Sequence, residues 1–140
     1  MNRPEEIRAT LTDSTTWFVV GLGNNPARDA YRIAQLLQAH GKRIVPIHPA
    51  AEIVHGEQGY STIADAVAAV GTPDVVDVFV RSDLAGAVAD EAIAAGATAV
   101  WFQFGVIDDD AAQRVTDAGI TMVMDRCPAV DFRRPNSECT

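Results

Sequence analysis

The sequence predicts a doubly wound α/β fold, with five parallel strands and helices on both faces, in a single domain. Three observations predict it. Short apolar runs alternate with helical patterns from Trp17 to Met124. Each run is apolar throughout, as in strands covered on both faces, whereas a sheet with one wet face would alternate. No linker, internal repeat or low-complexity tract interrupts the pattern, and 140 residues is the length of one ordinary domain.

The elements follow in order. Pro4-Glu5-Glu6, then Ile7 and Leu11, reads as a short helix with proline in its first turn and acids at its positive end. It belongs to a lead-in over residues 1–15, ahead of a domain expected over 16–130. Trp17 to Val20 is the first strand. Tyr31, Ile33, Ala34, Leu36 and Leu37 recur at helical spacing, and Gly41 stops that helix. Arg43 to Ile47 is the second strand, closed by His48-Pro49. Ala51 to Ser61 is a loop turned by Gly56 and Gly59. Ile63, Ala66, Val67 and Val70 make a short helix capped by Ser61 or Thr62.

Val75 to Val80 is the third strand, and Leu84, Ala85, Val88, Ala92 and Ile93 mark a helix ended by Gly96. Ala99 to Phe104 is the fourth strand. Asp108-Asp109-Asp110 opens a helix through Val115 that stops at Gly119, and Thr121 to Met124 is the fifth strand. Residues 131–140 read as a polar tail. Right-handed crossovers then suggest the strand order 3-2-1-4-5, with a ligand crevice at the carboxyl ends of strands one and four.

Composition narrows the function classes. Hydrophobic residues make up 48% and charged residues 21%, a globular balance. A net charge of −8 argues against nucleic acid and anionic membrane as partners, yet permits an anionic small molecule held by local cations. Two cysteines, Cys127 and Cys139, make no disulfide framework and point to a reducing cytoplasm. No apolar run reaches the roughly 18 residues of a membrane helix, and Met1 to Arg8 carries charge rather than a signal-peptide core.

The stretch Gly21-Leu22-Gly23-Asn24-Asn25-Pro26 follows the first strand and precedes a helix. Small residues at such a turn expose backbone N–H groups beside a positive helix end, where phosphates settle. The alternative is a tight turn and nothing more. A nicotinamide dinucleotide would want a third glycine and an acid after the second strand. Pro26 stands near the first place and His48-Pro49 at the second, and Pro26 holds Asn25 extended. Both requirements fail.

Arg28, Arg81 and Arg126 follow the first, third and fifth strands, so all three belong to the carboxyl edge. Cations gathered there suit a polyanionic ligand. The alternative is that each pairs with an acid: Asp29, Asp83 or Asp125. His40, His48 and His55 share no ligand spacing, so no metal site is expected. Cys127 either faces the crevice or fills the core. No Ser-His-Asp order, catalytic carboxylate pair or Walker lysine presents itself.

Taken in order, these residues resemble the small stand-alone bacterial CoA-binding domain proteins, related in fold to the CoA-binding domain of the succinyl-CoA synthetase alpha subunit. The resemblance covers Thr16 to Cys127. It rests on Gly21 with Asn24-Asn25-Pro26-x-Arg28 and Tyr31, and on Val45-Pro46-Ile47-His48-Pro49 with Gly56 and Tyr60. It continues through Val76-Asp77-Val78-Phe79, Trp101-x-Gln103-x-Gly105-Val106 and Met124-Asp125-Arg126-Cys127.

The resemblance implies a Rossmann-like sheet that binds coenzyme A or an acyl-CoA across its carboxyl edge, without catalysis of its own. Gly21, Leu22, Gly23, Asn24, Asn25 and Arg28 would hold phosphates. His48, Pro49, Phe79, Val80 and Arg81 would flank the adenosine end, and Gln103 and Gly105 the pantetheine arm. The chain departs from the family at three places: Leu22-Gly23 for Ala-Ser, His48 for asparagine, and Val80 for an arginine beside Arg81. The first removes a hydroxyl contact to phosphate. Two other roles stand beside simple binding: the CoA-binding subunit of a multi-chain acyl-CoA ligase, and a redox response in which Cys127 forms a mixed disulfide with coenzyme A. A homo-oligomer and a larger enzyme partner are both left as alternatives.

Overall fold

The computed structural model describes residues 1–133; the expected tail beyond them, with Cys139, lies outside the described residues. Five strands form one parallel sheet: β1 (Thr16–Val20), β2 (Arg43–Ile47), β3 (Val75–Val78), β4 (Ala99–Phe102) and β5 (Thr121–Val123). Six helices surround it: α1 (Pro4–Asp13), α2 (Asp29–Ala39), α3 (Ile63–Val70), α4 (Ser82–Ala95), α5 (Asp109–Asp117) and α6 (Pro128–Arg133). None of the helices among the described residues is long and apolar enough to cross a membrane.

Strand alternation sorts the core into two layers. Phe18, Val76, Val100 and Met122 face α3, α4 and α5, meeting Ile63, Ala89 and Val115. Trp17, Val75, Trp101 and Val123 face α1, α2 and α6, meeting Ile7, Leu11, Ile33 and Leu37. Trp17 and Trp101 stack obliquely, 5.7 Å between centroids. Their indole N–H groups donate to Ser14 Oγ and to the Arg126 carbonyl, so neither buried donor is stranded. The helix caps follow the side chains: Thr62 accepts from the Asp65 amide and Asp108 from the Ala111 amide.

The strand order corrects the expectation. It is β2-β1-β3-β4-β5, not 3-2-1-4-5. Pro46 supplies the physical reason. Its carbonyl points outward to the Tyr60 amide, so its missing N–H also falls on the outer side of β2. An interior β2 would lose a ladder bond there, whereas an edge strand loses nothing. The chain leaves β1 in one direction, returns across it, and continues through β3. The switch point therefore lies between β1 and β3, and the crevice opens there rather than at strands one and four. A second difference is α6, a helix without counterpart in the sequence reading, which runs across the expected boundary at residue 130.

Candidate functional site

At the switch point the first turn is drawn tight by Gly21. Its amide donates to the Ile47 carbonyl at 2.8 Å, and its φ is +100°. A Cβ there would lie 3.2 Å from Phe79 Cβ and 3.3 Å from the Phe79 carbonyl oxygen. Glycine is therefore required twice, by conformation and by the close approach of the turn after β3. The Leu22 side chain turns inward and is fully buried, anchoring the loop in the core. Gly23 faces outward: a Cβ would sit 3.4 Å from both Glu52 Oε1 and His48 Cδ2.

Asn24 and Asn25 shape the rest of the loop. The Asn24 side-chain amide donates to the Ile53 carbonyl at 2.7 Å, and its backbone N–H to Glu52 Oε1 at 3.4 Å. Asn25 Oδ1 accepts from the Ala27 amide at 3.0 Å, an Asx turn leading into α2. Arg28 occupies the N-cap position of α2 and is exposed. The acid expected to neutralise it, Asp29, pairs instead with Arg32 at 2.5 Å. Among the described residues Arg28 has no ion-pair partner, and it stands where the helix end is positive.

The other two arginines differ. Arg81 pairs with Asp83 at 3.1 Å, both side chains well exposed, a contact of little strength in water. Arg126 is held in a bidentate grip by Asp131 of α6, and that partner raises its pKa. Its acid is Asp131, not Asp125, which instead accepts from the Gly105 amide at 2.7 Å. The two remaining arginines of the trio thus lie at the switch point, and Arg126 belongs to the far edge of the sheet.

The flanking residues fall into place around this. His48 Nδ1 accepts from the Ala50 amide at 3.1 Å, which leaves Nε2 toward Gly23. Pro49 is exposed beside it. Phe79 donates its amide to Val20 at 2.9 Å, closing β1 against β3, and Val80 packs half-buried on the first core layer. Gly105, φ +85°, and Ser82 tie the turn after β4 to the start of α4 through Ser82 Oγ. Cys127 is buried in the second core layer, beneath α2 and α6.

Gln103 is buried, and its Nε2 donates to Asp77 Oδ1. Asp77 is fully buried in β3, and burial pushes its carboxyl up to about 8, outweighing the Gln103 hydrogen bond that favours the charged form. Asp77 Oδ2 and Gln103 Oε1 are left without a hydrogen-bond partner. A single proton on Oδ2 gives each of them one, if the two planar groups face each other as an acid–amide pair. The sequence signal for Asp77 is a carboxylate inside the apolar run Val75-Val76-x-Val78. Glu52 was missed altogether, since the loop that returns it to Asn24 has no local signature.

Two hollows lie elsewhere. One, of about 410 Å³, opens at the amino edge and is lined by Glu5, Glu6, Asp13 and Asp74 among others. Four carboxylates make it a poor host for phosphate. The second, of about 440 Å³, separates α1 from α6 beside the clamped Arg126. Neither touches the Gly21 loop. Among the described residues no three His, Cys, Asp or Glu side chains group to hold a metal.

A parallel sheet of this order, with a small-residue turn at its switch point, defines a Rossmann-like domain. Residues 15–133 match the CoA binding domain family, and the chain belongs to that family. An uncharacterized protein of Bacillus subtilis (strain 168), YneT, is 31% identical over 122 residues, covering 87% of this chain and 88% of that one. A hypothetical protein from Pyrococcus horikoshii OT3 superposes with a TM-score of 0.87 at 32% identity, over 94% of this chain and 91% of that one. A Thermus thermophilus protein gives 0.83 at 28% identity, over 94% and 98%.

Proposed function

We propose that the chain binds coenzyme A, free or acylated, along the carboxyl edge at the β1–β3 switch point. The amides of the turn after Gly21, from Leu22 to Asn25, and Arg28 meet its phosphates; His48, Pro49 and the Phe79–Arg81 turn flank the adenosine end; Gln103 and Gly105 lie toward the pantetheine arm. The observation that carries the reading is Arg28, exposed beside the loop while Asp29 is taken by Arg32.

The residues present fit the group. A Cβ at Gly21 would close the approach to Phe79, and one at Gly23 would fill the space before His48. Coenzyme A supplies, when bound, a thiol that carries acyl groups. The chain's own part is to hold the diphosphate and orient the arm.

Calorimetric titration of coenzyme A tests this. Arg28→Ala is expected to weaken binding by about 1–3 kcal/mol, the scale of a charge-assisted hydrogen bond. Unchanged affinity would remove Arg28 from the site. Native mass spectrometry of the freshly purified protein would show both any retained ligand and any co-purifying polypeptide of a ligase.

A further inference from the structure

We propose that Glu52 is an internal anion of the Gly21–Arg28 loop, a residue that holds the Asn24 amide until a ligand phosphate takes it and so sets a threshold for anion binding. The proposal rests on reading that loop as a phosphate site and goes beyond it by assigning what the phosphate must displace.

The geometry around Glu52 is unusual in several independent ways. Its Oε1 lies 3.4 Å from the Asn24 backbone nitrogen and the same distance from where a Gly23 Cβ would be. A carboxylate oxygen thus stands at the one face of the loop that glycine leaves open. Among the described residues it has no cationic partner. The segment that brings it there is clamped from both sides. Asn24 Nδ2 donates to the Ile53 carbonyl at 2.7 Å, and Gln38 Nε2 donates to the His55 carbonyl at 3.2 Å. Val54 is fully buried and exchanges both backbone hydrogen bonds with Glu57 at 2.9 Å.

Backbone strain brackets the same residue. Ala51 and His55 both adopt φ of +50°, a region costly for side chains larger than glycine. The Glu52 carbonyl lies 2.3 Å from where a Cβ on Gly59 would be, so only glycine admits the segment this close. A sharply turned, clamped segment is therefore spent on presenting one exposed carboxylate to one loop amide.

Chemistry gives the consequence. A backbone N–H in an anion-binding turn donates to either a carboxylate or a phosphate oxygen, and the two anions repel each other. An anion offering phosphate alone must displace Glu52 with only the loop amides and Arg28 to gain. A ligand whose phosphate is joined to other groups gains the flanking turns at His48 and Phe79 as well. Glu52 thus sets a threshold that simple phosphates fail to cross and a larger cofactor clears.

The test is Glu52→Gln, which removes the charge and keeps the shape, in the full chain. Binding of inorganic pyrophosphate and of coenzyme A is measured by calorimetry, with the Asn24 amide followed by NMR in the ligand-free state. The variant should bind both ligands about two- to fivefold more tightly at low salt, with the gain shrinking at raised salt. Its Asn24 amide resonance should move. Equal or weaker binding of both ligands, or no binding of either to either protein, would overturn the proposal. If pyrophosphate binding improves while coenzyme A binds neither protein, Glu52 keeps its role and the coenzyme A reading falls.

Discussion

Replacing Asp77 by asparagine should stabilise the protein at neutral pH, and the effect should depend on pH in a defined direction. Burial raises the folded carboxyl from 3.8 to about 8, so between those values the folded chain keeps a proton that the unfolded chain has lost. Stability from this group is complete below the unfolded pKa and is lost as pH rises through the folded one, at about 1.4 kcal/mol per pH unit. At pH 7 the wild-type chain has lost about 4 kcal/mol from this source. Asparagine needs no proton: its Nδ2 can donate to Gln103 Oε1 while its Oδ1 accepts from Gln103 Nε2. After the desolvation of the new amide, a net gain of about 2–4 kcal/mol at pH 7 is expected. The assay is urea denaturation followed by tryptophan fluorescence, since Trp17 and Trp101 are both fully buried. Wild type and variant should converge near pH 4 and diverge steadily toward pH 8. A difference that is flat over this range, or that widens as the pH falls, would mean Asp77 is ionised in the fold and the reasoning is wrong.

The other expectations concern the loop and its neighbours. Gly21→Ala must hold φ near +100° and press on Phe79, so stability should fall by about 1–3 kcal/mol in thermal unfolding, and coenzyme A affinity should drop with it. Arg28→Ala should leave the unfolding midpoint within error of wild type while weakening coenzyme A, because Arg28 is exposed and Asp29 is already paired. Arg126→Ala should do the reverse: it removes the partner of Asp131, lowering stability by about 1 kcal/mol with coenzyme A affinity unchanged in the same titration. If Arg126→Ala weakened binding as much as Arg28→Ala, the site would extend to the β5 edge.

Much of this fold was legible because the strands are largely apolar runs, broken within β3 only by Asp77, and most helix stops are glycines. Gly96 ends α4 in the left-handed conformation that only a glycine adopts readily. The ends of β3, β4 and β5 were read too long by one or two residues, while those of β1 and β2 fall where the sequence places them. Phe79 and Gln103 still donate to the neighbouring strand, through Val20 and Val78, but the chain then turns. Apolar character continues past the ladder, as at Val80 and Phe104.

Strand order was misread although Pro46 held the clue, because hydrophobicity is the same for edge and interior strands when both faces are covered. At the site, Gly21 and Arg28 were visible from local pattern. Glu52 and the Arg126–Asp131 pair were not, since a loop's return path and a short helix without periodicity leave no trace along the chain.

The proposed binding lays an anionic cofactor over the turns leaving β1 and β3. Amide chemical-shift mapping during titration with coenzyme A is the decisive measurement. The largest shifts are expected at Gly21, Gly23, Asn24, Arg28 and Phe79, saturating at one ligand per chain. Shifts confined to the amino edge, around Thr10, Asp74 and Thr98, or no shifts at all, would contradict it.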